Sequence, residues 1–327
     1  MKENNLTIGD IAQALGVSKT TVSRAISGKG RIGEETRGKV LEYIEAHNYR
    51  PNVVAKGLAQ NKTYNLGLVL PGDYHLVDLP FFQKCMLGIS KAASEKDYDV
   101  LITMVANDQI GQLKRAVTNH KIDGAILTRT LIDDRPMQYL QENEVPFVAI
   151  GSTEDSAAVQ IDNDHRTACR TLTGKLLERG IRRIALIGDD ENYMVTKNRL
   201  LGFQDAFENR PNKSVERRII LNVTHADMVD GIVEELLSED TDCIVTMDDF
   251  LCSRVLNALQ RRGVDVPGQM QVASFYDSEF LAEHMPQVSS IWFDVEELGR
   301  KACELLLRML AGESVEQRML LGYQLRM

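Results

Sequence analysis

The sequence predicts an α/β protein, a small three-helix head joined to a two-lobed body of doubly wound parallel sheets. Three observations predict it. Closely spaced helix starts and stops fill the first fifty residues, an apolar strand followed by an amphipathic helix recurs from Leu66 onward, and the charge changes sign between the two regions. At 327 residues the chain has room for two or three domains of ordinary size.

The first helix starts at Thr7-Ile8-Gly9-Asp10, a T-x-x-D run that puts a threonine cap and a carboxylate in the first turn. Ile8, Ile11, Ala12 and Leu15 follow at helical spacing, and Gly16 stops the helix. Ser18 is a second cap, opening Lys19 to Ile26 with Val22, Ala25 and Ile26 inward. Two short helices joined by a glycine-containing turn make a helix-turn-helix. A third helix, about Glu34 to His47, turns Val40, Leu41 and Ile44 inward and ends at Asn48 before Pro51. The second helix leaves Lys19, Thr20, Thr21, Ser23 and Arg24 on its polar face, the side-chain types that read groove edges and bind phosphates.

Charge supports this reading. Residues 1–62 carry ten Lys+Arg against six Asp+Glu, net +4, so of the whole chain's 38 against 47 the remaining residues hold 28 against 41, net −13. A basic segment on an acidic body points to a nucleic-acid module fused to something else. The following run, Asn52 to Gln60, has a helical pattern far shorter than the ~12–15 residues an isolated helix needs in water. It is expected to fold where two copies meet on DNA, with Ala55, Gly57 and Ala59 allowing close approach and Leu58 left as an apolar wedge for a base step. Gly28-Lys29-Gly30-Arg31-Ile32-Gly33 satisfies G-x-G-x-x-G but follows a helix, so it reads as the loop between the second and third helices and not as a dinucleotide turn.

From Thr7 to Ala59 the chain resembles the LacI/GalR family of bacterial transcription regulators. The match runs through D-I-A-x-x-x-G-V-S-x-x-T-V-S-R at Asp10–Arg24, T-R at Thr36–Arg37, and N-Y-R-P-N-x-x-A-x-x-L-A at Asn48–Ala59. The resemblance implies base reading by Lys19, Thr20 and Arg24. It implies phosphate contact or helix positioning by Thr7, Ser18, Thr21, Ser23 and Asn52, and minor-groove entry by Leu58 beside Ala55. Gly33 departs from the family's usual serine-like cap, a change that glycine tolerates.

In the body, strands are predicted to start near Leu66, Val100, Gly124 and Phe147, then near Ile184, Arg218, Cys243 and Gln271. The two sets share a rhythm, which predicts two like lobes with a cleft between them. Ligands in such sheets bind beyond the carboxyl ends of the strands. Those ends read Pro71-Gly72-Asp73, Thr128-Arg129-Thr130, Gly151-Ser152, Asp189-Asp190, Met247-Asp248-Asp249 and Tyr276-Asp277, polar sets suited to hydroxyl-rich or charged small molecules, although any single strand-end Asp also suits a helix cap. The family resemblance extends here through Leu79–Phe82, Ile161–Asn163, Arg199-x-x-Gly202-Phe203 and Phe275–Asp277, and the body resembles type I periplasmic sugar-binding proteins. It implies effector contacts at Arg199 and Asp277, with Asp73, Phe82, Arg129, Asp162 and Asp248 behind them. Phe81 and Trp292 are further candidates, and Asp294 stands where the family often has proline.

The expected organisation is a DNA-binding domain at 1–50, a hinge helix or linker at 51–63, and an effector-binding and dimerisation domain at 64–327. Its N-lobe takes about 64–162 plus 293–322, and its C-lobe about 163–292 plus 323–327. A last strand is expected around Gln317 to Arg326. The implied function is a transcriptional repressor of sugar or sugar-acid uptake or catabolism genes. Its partners would be double-stranded operator DNA bearing an inverted repeat, a small carbohydrate-like effector, and a second copy of the chain, the chain ending without a leucine-heptad tail of the kind that makes tetramers. Arg129 and Arg199 tilt the effector expectation toward an acidic or phosphorylated sugar. The alternative, a solute-binding receptor without a DNA role, predicts a leader and no basic head. No signal layout opens the chain at Met1-Lys2-Glu3-Asn4-Asn5, and no apolar run approaches the ~20 residues of a membrane span, so a cytoplasmic protein is expected. The five scattered cysteines and six histidines form no metal or disulfide spacing, and no nucleophile elbow or phosphate loop occurs, so neither a cofactor nor an enzymatic activity is expected.

Overall fold

The computed structural model describes residues 6–27, 30–47, 49, 57, 60–72, 80–106, 109–208, 215–223, 225–278, 281 and 287–327. The chain divides into two compact units, Met1–Thr63 and Tyr64–Met327.

The first unit contains helices α1 (Ile8–Leu15), α2 (Lys19–Ser27) and α3 (Glu34–Ala46). Thr7 and Asp10 form a reciprocal capping box: the Thr7 amide donates to Asp10 Oδ2 at 2.8 Å, and the Asp10 amide donates to Thr7 Oγ1 at 3.3 Å. Gly16 ends α1 at φ 62°, a left-handed position that favours glycine, and returns its N–H to the Ala12 and Gln13 carbonyls. Ile11, Val22, Ala25 and Val40 are fully or almost fully buried and form the small core with Ala12. Leu41 is not in it. It is 42% exposed, because Val40, Tyr43 and Ile44, at i, i+3 and i+4, already fill the inward stripe of α3.

The second unit is built on two six-stranded sheets. The first sheet contains β1 (Asn65–Pro71), β2 (Asp99–Val105), β3 (Gly124–Leu127), β4 (Phe147–Ile150), β5 (Val159–Asn163) and β11 (Arg318–Leu321), ordered β11-β5-β4-β3-β1-β2 and parallel throughout. The second contains β6 (Arg183–Ile187), β7 (Glu216–Ile220), β8 (Cys243–Thr246), β9 (Gln271–Ser274), β10 (Ser289–Trp292) and β12 (Gln324–Arg326), ordered β12-β10-β9-β8-β6-β7, with only β12 antiparallel. The helices are α4 (Pro80–Ser94), α5 (Gly111–Thr118), α6 (Arg135–Glu142), α7 (His165–Glu178), α8 (Met194–Asp205), α9 (Ala226–Ser238), α10 (Asp249–Arg261) and α11 (Val295–Leu310). Strands β3, β4, β5 and β8 are buried at every position, as parallel strands covered on both faces must be.

Each of the eight expected strand starts has an observed start within two residues, while β5 and β10 have no expected counterpart. The C-terminal run differs: the single strand expected around Gln317 to Arg326 is two strands, one in each sheet, separated by Gly322 and Tyr323. The chain therefore passes between the sheets after β5, after β10 and after β11. Helix α11, which follows β10, packs on α4 against the first sheet. That contact is close because Gly88 and Gly299 face the opposing backbone, where a Cβ on either would collide with the Glu296 or Cys85 carbonyl oxygen.

Candidate functional site

On the head, Ser18 Oγ accepts the Thr21 amide at 3.0 Å and shares a hydrogen bond with Thr21 Oγ1 at 2.8 Å, which starts α2. From that start Lys19, Thr20, Ser23 and Arg24 are exposed on one face while Val22 and Ala25 are buried on the other, and Thr21 is half-buried. The Arg24 stem lies against Gly30, whose φ of +91° and missing side chain make room for it. Thr7 is exposed at the start of α1, and its hydrogen bond to Asp10 holds that carboxyl below its usual range. Asn52, Ala55 and Leu58, with most of the 51–63 hinge segment, lie outside the described residues.

In the body, the carboxyl ends of β6 and β8 bring Asp189, Asp248 and Asp249 together, with Arg199 of α8 acting on Asp248 and Asp249, and Asp277 follows β9. Arg199 donates through Nη1 to the Met247 carbonyl at 2.6 Å, and its buried Nε has no hydrogen-bond partner among the described residues. Asp277 is buried. Its Oδ2 accepts Ser290 Oγ and Arg326 Nη1, both at 2.8 Å, and its Oδ1 has no partner among the described residues. Asp248 caps α10, accepting the Leu251 amide at 2.7 Å. Burial, aided by the neighbouring carboxylates Asp249 and Asp189, pushes its carboxyl up to about 7. Burial also raises Asp249.

Asp162, at the end of β5, has both oxygens engaged: Oδ2 by the Ser152 amide and hydroxyl at 2.9 and 3.1 Å, Oδ1 by the Asn163 amide at 2.8 Å and by His165 Nε2 at 3.5 Å. Burial raises it, but His165 and these hydrogen bonds outweigh burial and keep it ionised. Burial lowers His165, outweighing the opposing pull of Asp162. Asp162 therefore orients Ser152, whose hydroxyl accepts a hydrogen bond from Asn198 of the other lobe. Phe82 packs into the core, whereas Phe81 meets Tyr276 of the second lobe with ring centroids 6.2 Å apart. Arg129 stacks on Tyr193 at 4.8 Å and donates to its hydroxyl at 3.3 Å, and also lines a small cavity with Val69, Pro71, Val105 and Leu127 within the first lobe. Asp73 lies outside the described residues. Asp294 caps α11 by accepting the Glu297 amide at 3.0 Å, and Trp292 stands 5.8 Å from the Arg326 guanidinium. The structure thus brings Arg199, Asp248 and Asp277 to the ends of the second sheet, and places Arg129 and Asp162 at the ends of the first.

Ser290, Arg326, Tyr193 and Asn198 were not singled out in the sequence, since only sheet order and the lobe contact bring them to these positions. Tyr193 and Asn198 belong to a lobe contact at one side of the cleft. It contains a Leu131–Tyr193 bridge, with the Ile132 amide donating to Asn192 O at 3.0 Å and the Met194 amide to Thr130 O at 3.1 Å, and a Lys197–Glu154 ion pair. Among the described residues there is no cluster of His, Cys, Asp or Glu placed to hold a metal ion, and no helix is long and apolar enough to cross a membrane.

A helix-turn-helix head and a two-lobed α/β body with polar strand ends define a DNA-binding transcriptional regulator. Residues 7–52 match the bacterial regulatory proteins of the lacI family, and residues 173–326 match the periplasmic binding protein-like domain. The HTH-type transcriptional regulator MalR of Streptococcus pneumoniae is 30% identical over 318 residues, 93% of each chain. The chain belongs to the lacI family. A transcriptional regulator CelR–cellobiose complex is similar at a TM-score of 0.71 and 26% identity, covering 98% of each chain. The Lac repressor dimer bound to operator and an anti-inducer shares the fold at a TM-score of 0.78 and 22% identity, over 99% of this chain and 98% of that one.

Proposed function

We propose that this regulator is a cytoplasmic repressor of genes for uptake or breakdown of a neutral sugar. In this reading a homodimer places one α2 in each half of an inverted-repeat operator. Lys19, Thr20 and Arg24 read bases, and Thr7, Ser18, Thr21, Ser23 and Asn52 hold phosphates. Residues 51–63 form the hinge, with Ala55 and Leu58 at the minor groove. The effector sits between the lobes on Arg199, Asp248 and Asp277, with Asp73, Phe82, Arg129 and Asp162 supporting the cleft, and changes operator affinity by altering the angle between lobes.

The observation that carries the effector class is a pair of buried atoms without a partner among the described residues, the donor Nε of Arg199 and the acceptor Oδ1 of Asp277. Both residues act on Tyr276, whose hydroxyl is pushed up chiefly by burial and also feels the charges of Asp249, Arg199 and Asp277. A sugar hydroxyl both donates and accepts, so adjacent hydroxyls satisfy both atoms. The surrounding carboxylates favour a neutral ring over a sugar acid. The similar CelR, solved with cellobiose, agrees with that class.

The test is fluorescence anisotropy with inverted-repeat DNA from the gene's own neighbourhood, with maltose, cellobiose and gluconate added in turn. Arg24→Ala should weaken operator binding at least tenfold, and a neutral sugar should shift wild-type affinity where gluconate does not. Equal operator binding by wild type and Arg24→Ala would refute the head assignment, and a response to gluconate alone would refute the neutral-sugar assignment.

A further inference from the structure

We propose that Arg326, on the last strand, is a positioning residue of the effector cleft: with Ser290 it fixes one oxygen of Asp277 so that the other is presented to a sugar hydroxyl. The proposal rests on the neutral-sugar reading above.

The register of the second sheet creates the arrangement. Ser290 and Arg326 are directly opposite each other in the antiparallel β10–β12 pair, so their side chains share one face. Asp277 lies three residues beyond the end of β9, the strand next to β10. Both side chains reach Oδ2 at 2.8 Å. An arginine free to choose its geometry commonly grips a carboxylate with two parallel hydrogen bonds, one to each oxygen. Here the guanidinium and the hydroxyl converge on one oxygen, and Oδ1 stays buried without a partner among the described residues.

The Asp277 side chain is 2% exposed and Arg326 44%. Burying a carboxylate away from water is costly unless a cation or several donors pair with it, and the partly exposed Arg326 supplies the cation. That guanidinium also lies over the Trp292 ring, 5.8 Å from its centre. β12 follows β11 of the opposite sheet after only Gly322 and Tyr323, so the residue that sets the carboxylate is tethered to the other lobe.

The experiment compares full-length wild type, Arg326→Gln, Arg326→Lys and Ser290→Ala by calorimetry and thermal shift with maltose and cellobiose, and by operator anisotropy without sugar. For whichever sugar binds wild type, Arg326→Gln should raise Kd at least tenfold, Arg326→Lys should stay within threefold, and operator affinity should stay within twofold in both. A purely structural role would lower melting temperatures while leaving the sugar-induced shift and the Kd unchanged, and that result overturns the proposal. Should Arg326→Gln fail to fold, Ser290→Ala decides: a Kd raised at least threefold supports the arrangement and an unchanged Kd overturns it. If neither sugar binds wild type, the neutral-sugar reading itself falls and takes this proposal with it, an outcome distinct from binding that survives in the variants.

Discussion

Replacing Asp248 by Asn should remove a large pH dependence of stability. Asp248 follows β8 and caps α10, and its half-buried carboxyl is raised from 3.8 to about 7. A raised carboxyl means that, between about pH 4 and pH 7, the folded state keeps a proton that the unfolded state has lost. Stability therefore falls as pH rises through that window, by about 1.4 kcal/mol per unit, and levels off above it. Three units of separation make the full loss about 4 kcal/mol. Asparagine is similar in shape, stays uncharged and caps helices as well as aspartate does, so the Leu251 amide keeps its acceptor. Wild type and Asp248→Asn should thus be nearly equally stable near pH 4 and diverge in favour of the variant up to pH 8. Other shifted carboxyls away from Asp248, such as the burial-raised Asp134 and the hydrogen-bond-lowered Asp205 and Asp230, are common to both proteins and cancel in the difference. Urea unfolding of the two proteins from pH 4.5 to 8 measures this, and parallel profiles would refute the assignment of a half-buried, proton-holding carboxyl.

Gly299→Ala should cost about 1–3 kcal/mol, read as a lower melting temperature, since the new Cβ meets the backbone oxygen of Cys85 and no side-chain rotation relieves the collision. Arg129→Ala and Tyr193→Phe should each lose about 0.5–1.5 kcal/mol, and the double variant should lose less than their sum because both break the same hydrogen bond. Additive losses in the unfolding cycle would show that Arg129 acts elsewhere.

Local signals carried most of the fold. The T-x-x-D capping box, the Gly16 stop and the strand starts depend on residues a few positions apart, so they were legible without tertiary information. Non-local choices were not. Leu41 has the composition and nearly the spacing of a core residue, and only the packing of Tyr43 shows that the inward stripe is already filled. The run from Gln317 to Arg326 reads as one strand because both halves have β pattern, and its division between sheets depends on partners, β5 and β10, far away in sequence. At the cleft, residue types at strand ends and the family pattern marked Arg199 and Asp277, but the hydrogen bonds that leave Nε and Oδ1 open come from Met247, Ser290 and Arg326, which no spacing rule connects to them. Arg129 illustrates the converse. Its charge suggested an anionic ligand, while in the fold it stacks on Tyr193.

That placement changes the charge balance on which effector class depends. With Arg129 engaged at the lobe contact, Arg199 faces Asp189, Asp248 and Asp249, and the other guanidinium beside the group, Arg326, is already matched to Asp277. A sugar acid would bring a further carboxylate into this set. Two like charges about 4 Å apart repel by about 4 kcal/mol at an effective dielectric of 20, roughly a thousandfold in affinity. Arg199 would attract it by a similar amount and so offset one such neighbour, but the carboxylates near Arg199 outnumber it. A neutral sugar would meet no such repulsion and, in the proposed reading, would still satisfy both atoms. Near neutral pH, where Asp248 is half-protonated, its carboxyl can also donate to a ring oxygen or hydroxyl, an interaction that a neutral polyol can use without introducing charge.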